Sequence, residues 1–282
     1  MNQKEKRICV FTDMDGTLLD HYTYDHTPAL TLLKKLKARS IPVIPVTSKT
    51  SMEMEHLCNE IGLVHGYVAE NGAVASFASP QGPLLMAEEP IPPSNIVKSF
   101  VKPASHWQAL VKEACNGFSC GALSSTSAEE FSSMTGLDCP SAVRAMKREF
   151  SEIVSWQDSE RNLEIFKQRL LDSGANVLKG GRFVHITGDI DKGRAMAWFV
   201  KQFGSAFSRK VVTIALGDSE NDVAMLARAD VAVIVRSPVH DPPAWPESNS
   251  SPSQKILLTE QYGPRGWRDG MKLALSYLGI EL

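Results

Sequence analysis

Four groups of polar residues each stand directly behind a short apolar run. Asp13 and Asp15 follow residues 8–11, Thr47 follows 41–46, Glu70 and Asn71 follow 67–69, and Asp218 and Asp222 follow 211–216. Asp13 and Asp15 are two apart on an extended segment, so their side chains leave the same face. One carboxylate can then attack a substrate while its neighbour handles a proton. Gly16 lets the backbone turn away beneath them, and Thr17 can donate to an anion or orient Asp15. The same Asp-x-Asp-Gly pattern also serves as a plain Asx-turn. Thr47, ahead of a helix, can offer its hydroxyl and a helix-terminal N–H to an anionic oxygen, or simply act as a helix cap. Lys192 opens a helix, where a lysine opposes the macrodipole and so gains nothing structurally. Asp218 and Asp222 can present carboxylates to one cation, although Ser219 and Asp222 would also be a natural capping pair. Asp13, Asp15, Asp218 and Asp222 would repel one another on convergence unless a cation sat among them. Hard oxygen ligands with no paired His or Cys point to Mg²⁺.

The elements that must carry these residues are well punctuated. The apolar runs are short and continuous, the form of strands buried on both faces. Thr27 as cap, Pro28 as first residue and apolar positions 29, 32, 33 and 36 predict one helix. Thr50 and Glu53 at capping-box spacing, Met54, Leu57, Cys58 and Ile61, and Gly62 as the stop predict another. Pro42 and Pro45 are unusual for a central strand over 41–46. Further on, Asp191 caps a helix bearing Met196, Phe199, Val200 and Phe203 that ends at Gly204, and Ser219 caps one bearing Val223, Leu226 and Ala227. Strands over 231–235 and 255–258 flank a proline- and serine-rich loop, and a last helix carries Trp267, Met271, Ala274, Leu275 and Leu278. This alternation predicts an α/β fold, a doubly wound parallel sheet of Rossmann-like form, with the polar groups at its ligand-binding carboxyl edge. Between 78 and 188 the composition changes. Pro80, Pro83, Pro90, Pro92 and Pro93 mark the entry, and Gly180-Gly181 precedes a strand-like stretch. We therefore expect a core over 1–77 and 189–282 and an inserted α/β domain over 78–188.

With 30 basic and 32 acidic residues, a net charge of −2 and 43% hydrophobic residues, the chain can bury a core. It lacks the positive field that nucleic-acid binding needs. No run approaches the roughly 18 apolar residues of a membrane span, and the amino-terminal apolar stretch is too short for a signal peptide, so a cytoplasmic, non-membrane protein is expected. Five cysteines, an odd number in a chain too large to need disulfide staples, fit a reducing compartment. Cys115 and Cys120 lack a second pair at metal-binding spacing and read as structural rather than zinc-binding.

The order of the groups resembles the haloacid dehalogenase-like phosphatases over the whole chain. Asp13-Met14-Asp15-Gly16-Thr17 matches that superfamily's first motif, Thr47 its second, Lys192 its third, and Gly217-Asp218 through Asn221-Asp222 its fourth. The insertion resembles the subclass with a large α/β cap between the second and third motifs. Thr47-Ser48-Lys49-Thr50, Glu70-Asn71-Gly72-Ala73, Arg148-Glu149-Phe150-Ser151-Glu152, Gly180-Gly181-Arg182-Phe183, Ser237-Pro238-Val239-His240 and Gly263-Pro264 are similar to the mannosyl-3-phosphoglycerate phosphatases. Ile153-Val154 departs from that family's Pro-Phe. The resemblance implies an aspartyl-phosphate on Asp13, acid–base work by Asp15, and Mg²⁺ held by Asp13, the Asp15 carbonyl and Asp218 with Asp222 behind them. Thr47 and Lys192 would bind the remaining phosphoryl oxygens. It further implies a small-molecule phosphorylated sugar–glycerate substrate, met by Ser48, Lys49, Glu70, Asn71, Arg148, Ser151, Gly181, Arg182 and Asn221, with Lys179 and His185 nearby, and a role in making mannosylglycerate as a compatible solute. A phosphatase for another sugar phosphate such as glucosyl-3-phosphoglycerate, a phosphohexomutase-type transferase and a non-catalytic sugar-phosphate-binding module are the rival readings. The complete set Asp13, Asp15, Lys192 and Asp218 argues against the last.

Overall fold

A computed structural model describes residues 7–79, 94–179, 183–207, 211–245 and 254–281. Strand β1 (Arg7–Thr12) is buried from residue 8 onward, as a continuous apolar run dictates. Helix α1 (Thr27–Ala38) buries Ala29, Leu32, Leu33 and Leu36 with Pro28 in its first turn, but Thr27 does not cap it. Asp25 does that work instead, its Oδ1 accepting the Thr27 N–H at 2.9 Å and hydroxyl at 2.5 Å. Strand β2 (Val43–Pro45) runs parallel to β1. Helix α2 (Ser51–Ile61) has the expected Thr50/Glu53 capping box and closes on Gly62 at φ 80°. Strand β3 (Gly66–Ala69) meets β2 only through the single Val46–Val68 bridge. Pro45 has no N–H with which to extend that ladder, which is how the prolines are tolerated. Strands β4 (Val74–Ser79) and β5 (Ser94–Ser99) continue from β3 as an antiparallel sheet. Although β5 lies beyond residue 78, it is paired with β4 from Val74↔Ser99 to Ser79↔Ser94.

The second unit follows: α3 (Ala104–Ala114), β6 (Cys120–Ala122), α4 (Ala128–Thr135), α5 (Cys139–Met146), β7 (Glu152–Trp156), α6 (Glu160–Asp172), β8 (Asn176–Lys179) and β9 (Val184–Thr187). Its strands form an antiparallel sheet in the order β6-β7-β9-β8, on which α3 and α6 pack Trp107, Val111, Leu163, Phe166 and Leu170. Cys115, just past α3, and Cys120, opening β6, read above as a structural pair, are joined as a disulfide. The turn between α3 and β6 is short enough to bring the two sulfurs together. Among the described residues no third His or Cys joins them as a metal cluster.

The chain then returns through α7 (Lys192–Phe207), β10 (Val211–Gly217), α8 (Val223–Leu226), β11 (Val231–Arg236), β12 (Lys255–Tyr262) and α9 (Gly263–Tyr277). Asp191 caps α7 as expected, accepting the Arg194 N–H at 2.7 Å. The helix does not stop at Gly204. A helical glycine costs only about 1 kcal/mol, and burial of Met196, Phe199 and Phe203 against the sheet outweighs it. The main sheet is fully parallel in the order β12-β11-β10-β1-β2. One face packs on α1 and α9 through Leu36, Trp267 and Met271, the other on α7 and α8, giving the doubly wound α/β architecture. The order reverses between β1 and β10, and at the carboxyl ends of such neighbours a crevice opens. No helix among the described residues is long and apolar enough to cross a membrane.

Candidate active site

The crevice at β1 and β10 holds a compact charged centre. The Asp13 N–H donates to the Leu216 carbonyl at 2.9 Å, stitching the two strand ends together. Lys192, the first residue of α7, is 1% exposed, and its Nζ stands 2.7 Å from both Asp13 Oδ1 and Asp222 Oδ1. Asp222 Oδ2 accepts the N–H groups of Asp218 at 3.1 Å and Ser219 at 3.0 Å. The capping and the charged roles read for Asp222 therefore coexist, one on each oxygen. Asp218 Oδ1 accepts the Thr17 hydroxyl at 2.6 Å, so Thr17 orients Asp218 and not Asp15. Carboxylate oxygens of Asp13, Asp218 and Asp222 lie within 4.8 Å of one another. Gly16, at φ +83°, makes this possible, since a Cβ there would fall 2.7 Å from Asp218 Oδ2.

The electrostatics follow from burial. Desolvation, then Asp222 and Asp218, push the Asp13 carboxyl well above its ordinary range against the pull of Lys192. Burial would lower the Lys192 ammonium, but Asp13 and Asp222 outweigh it and hold the group charged. His240 lies 3.3 Å from Asp218 Oδ2, and that hydrogen bond, against partial burial, raises the imidazole to about 9.

Asp15 stands apart from this trio. Its Oδ2 pairs with Lys49 Nζ at 2.9 Å, while its Oδ1 is buried without a hydrogen-bond partner. Burial alone would lower the Lys49 ammonium, yet Asp15 and Glu53 hold it above the usual lysine range. The ring of Tyr24, which sequence reasoning passed over, lies 5.1 Å from Lys49 Nζ. Thr47 is buried, and its hydroxyl accepts the Lys49 N–H at 3.2 Å.

From the second unit, Arg148 donates through Nη1 to Ser151 Oγ at 3.0 Å and through Nη2 to the Ser48 carbonyl at 3.3 Å. Arg148 Nε and His185 Nδ1 are buried without partners. Burial first, then the charges of Arg148 and Lys192, press the His185 imidazole down to about 3. Asn71 Oδ1 accepts from Asn221 Nδ2 at 3.1 Å. Glu70 was expected to face substrate, but both its oxygens accept from the 149–151 turn. Gly181 and Arg182 lie outside the described residues, as does the Lys179 side chain. The contacts that sequence reasoning missed, Thr17 with Asp218 and His240 with Asp218, join segments far apart in the chain and carry no local signal.

A family model of haloacid dehalogenase-like hydrolases matches residues 10–239. The chain belongs to that family, and its parallel sheet, switch-point crevice and acidic centre are what such a hydrolase requires. Two full-length relatives narrow the class. A glucosyl-3-phosphoglycerate/mannosyl-3-phosphoglycerate phosphatase of Methanococcoides burtonii is 33% identical over 269 residues, covering 93% of this chain and 95% of the relative. A protein of the same name from Persephonella marina is 28% identical, covering 94% and 96%. The chain is thus a phosphoric monoester hydrolase. The fold agrees with that of the sucrose-phosphatase of Synechocystis sp. PCC6803, solved with sucrose and phosphate, at a TM-score of 0.61, 13% identity and 99% and 100% coverage. A phosphatase of the same superfamily from Bacteroides thetaiotaomicron gives 0.65 at 17% identity, covering 100% of this chain and 98% of its own.

Proposed function

We propose that this enzyme hydrolyses the phosphomonoester of glucosyl- or mannosyl-3-phosphoglycerate in a Mg²⁺-dependent reaction through an aspartyl-phosphate on Asp13. The observation that carries this reading is the buried trio Asp13, Asp218 and Asp222 around a single lysine, with Asp15 beside it but outside the trio. Three desolvated carboxylates against one ammonium leave an excess of negative charge, and an all-oxygen donor set suits a hard divalent cation. The residues fit Mg²⁺, with Asp13, Asp218 and the Asp15 carbonyl as holders and Asp222 behind them. When bound, the ion neutralises phosphoryl charge and lets an anionic substrate approach a carboxylate.

The chain's own groups do the rest. One Asp13 carboxylate oxygen attacks phosphorus in line, forming an acyl-phosphate bond as the ester P–O bond breaks. Asp15 gives its proton to the departing sugar–glycerate alkoxide. As a carboxylate, Asp15 then takes a proton from water, whose oxygen attacks phosphorus and releases Asp13 and inorganic phosphate. Lys49 Nζ, 2.9 Å from Asp15 Oδ2, orients that carboxylate between the two steps. Thr47 and Lys192 bind phosphoryl oxygens. We take the second unit as a cap domain that supplies Arg148, Ser151 and Arg182 to the sugar and glycerate ends. The unpartnered, buried Arg148 Nε supports this, because it is a charged donor with nothing else to meet.

Phosphate release with Mg²⁺ and with EDTA, across mannosyl- and glucosyl-3-phosphoglycerate, 3-phosphoglycerate and hexose phosphates, tests the reading. We expect Mg²⁺-dependent preference for the two glycosyl compounds, and loss of nearly all turnover in a folded Asp13→Asn variant. Preference for simple hexose phosphates would overturn the substrate, and an active Asp13→Asn would overturn the nucleophile.

A further inference from the structure

Glu70 is 1% exposed, and both oxygens of its carboxylate are engaged from outside its own unit. Oε1 accepts the Glu149 N–H at 2.8 Å, and Oε2 accepts the Phe150 N–H at 3.2 Å and the Ser151 hydroxyl. Arg148 Nη1, 4.0 Å from Oε2, completes the charge balance. With the side chain 0% exposed, no surface is left on it for a sugar to meet. The backbone that presents this side chain is equally specific. Glu70, Asn71 and Gly72 follow one another at φ 50°, 58° and 102°, a run that only surrounding structure can hold. Each residue of the turn has its own anchor. The Glu70 and Asn71 N–H groups donate to the Lys49 and Thr47 carbonyls, both at 2.9 Å, and Asn71 bonds Asn221 on the Asp218–Asp222 loop. A Cβ on Gly72 would fall 2.6 Å from the Asp191 carbonyl, against the start of the helix that carries Lys192. One three-residue turn thus touches the loops bearing Thr47, Lys192 and Asp222, while its first side chain grips residues 149–151.

We infer that Glu70 is a positioning residue, a latch that fixes the 148–151 turn, and with it Arg148, relative to the catalytic loops without touching substrate. The inference rests on the proposed function for what Arg148 faces. Its physical basis is that a buried carboxylate holding three donors cannot lose them gradually. Withdrawal of the turn would leave the charge desolvated and unpaired, so the contact is strongly favoured as a whole. A neutral amide of the same shape cannot replace it, because its NH₂ would confront an N–H or O–H donor. The Thr50 hydroxyl, donating to the Arg144 carbonyl at 2.8 Å, reinforces the same junction from α2.

The test is Glu70→Gln in the full-length enzyme with two readouts. Hydrogen exchange at the Glu149 and Phe150 amides should speed up by at least about tenfold, the worth of a hydrogen bond to a charged acceptor. The ratio of kcat/KM for the glycosyl-3-phosphoglycerates to that for p-nitrophenyl phosphate, which is too small to reach the cap, should fall by about tenfold or more, mainly through KM. Ser151→Ala, which removes one donor, should speed exchange at both amides by about threefold, and on the exchange readout, which a lost substrate contact would not move, it carries the test if Glu70→Gln does not fold. Unchanged exchange at the two amides overturns the latch, as does an equal loss on both substrates. If the wild type hydrolyses neither glycosyl compound while Glu70→Gln still frees the amides, the latch stands and the substrate reading fails.

Discussion

Replacing Lys192 by methionine removes the one ammonium that faces both Asp13 and Asp222 while keeping most of the side-chain volume. Two unit charges about 4 Å apart interact by about 4 kcal/mol at an effective dielectric of 20, and Lys192 makes two such contacts, each at 2.7 Å between heavy atoms. The cost of burying the three ions offsets part of this, and breaking a buried pair typically costs about 3–5 kcal/mol. With two partners stranded, we expect the upper end, about 5 kcal/mol, at pH 8 without divalent cation. The loss should shrink on acidification. Asp13 already has a raised folded pKa, held down in part by Lys192. Without the lysine it rises further, so the folded state binds more protons than the unfolded one and stability falls as pH climbs. The assay is urea unfolding in EDTA at pH 5 and pH 8, followed by titration with Mg²⁺, which should recover more stability in the variant than in the wild type. A loss below about 1 kcal/mol, or one that is the same at both pH values, would refute the charge balance described for the centre.

Thr17→Val removes the hydroxyl that fixes Asp218 at 2.6 Å, and the Mg²⁺ concentration for half-maximal phosphate release should rise about tenfold; an unchanged Mg²⁺ response would count against Asp218 as a metal holder. Gly72→Ala should lower stability by about 1–3 kcal/mol and depress kcat by displacing the start of α7, checked by thermal unfolding and turnover; wild-type values for both would contradict the close approach to Asp191. His185, pressed down to about 3 beside Arg148 and Lys192, stays neutral in the fold while its unfolded form titrates near the ordinary value. The folded state thus binds fewer protons between those values, and stability should drop as pH falls from 6 to 4. In His185→Gln that drop should be smaller when urea midpoints are compared, and parallel pH profiles would exclude the histidine as its source.

The parts of this molecule that were legible in advance are those whose signals are local. The Thr50/Glu53 box, Gly62 as a stop, Asp191 as a cap and the continuous apolar runs of β1, β10 and β11 depend on neighbours within one turn or one strand. The Asp13/Asp15 pair likewise carries its geometry in a spacing of two. What could not be read depends on partners brought together by the sheet. Thr17 finds Asp218 across 201 residues, and Glu70 finds the Glu149 N–H across 79. Nothing near Glu70 distinguishes a carboxylate that meets a ligand from one that meets main-chain donors. The pairing of β5 with β4 was hidden because a proline-rich entry reads as a boundary whatever the next strand joins. Gly204 read as a stop because glycine propensity is visible in sequence, whereas the burial of Phe199 and Phe203 that overrides it is not.

Gly188 has no room for a side chain, because a Cβ would lie 2.7 Å from Val101 Cγ1. The outgoing and returning chain segments that tether the second unit therefore run side by side. Mechanically, two tethers at one place act as a single pivot, and a body held at one pivot keeps the freedom to swing. The 149–151 turn that Glu70 grips belongs to this same place, since the Glu149 carbonyl accepts the Ala104 N–H at 2.7 Å and the Phe150 carbonyl accepts the Thr187 hydroxyl at 3.0 Å. On this geometry, the tethers and the Glu70 contact form one joint, and how stiffly that joint is held is open to tuning by residues that never meet the phosphate.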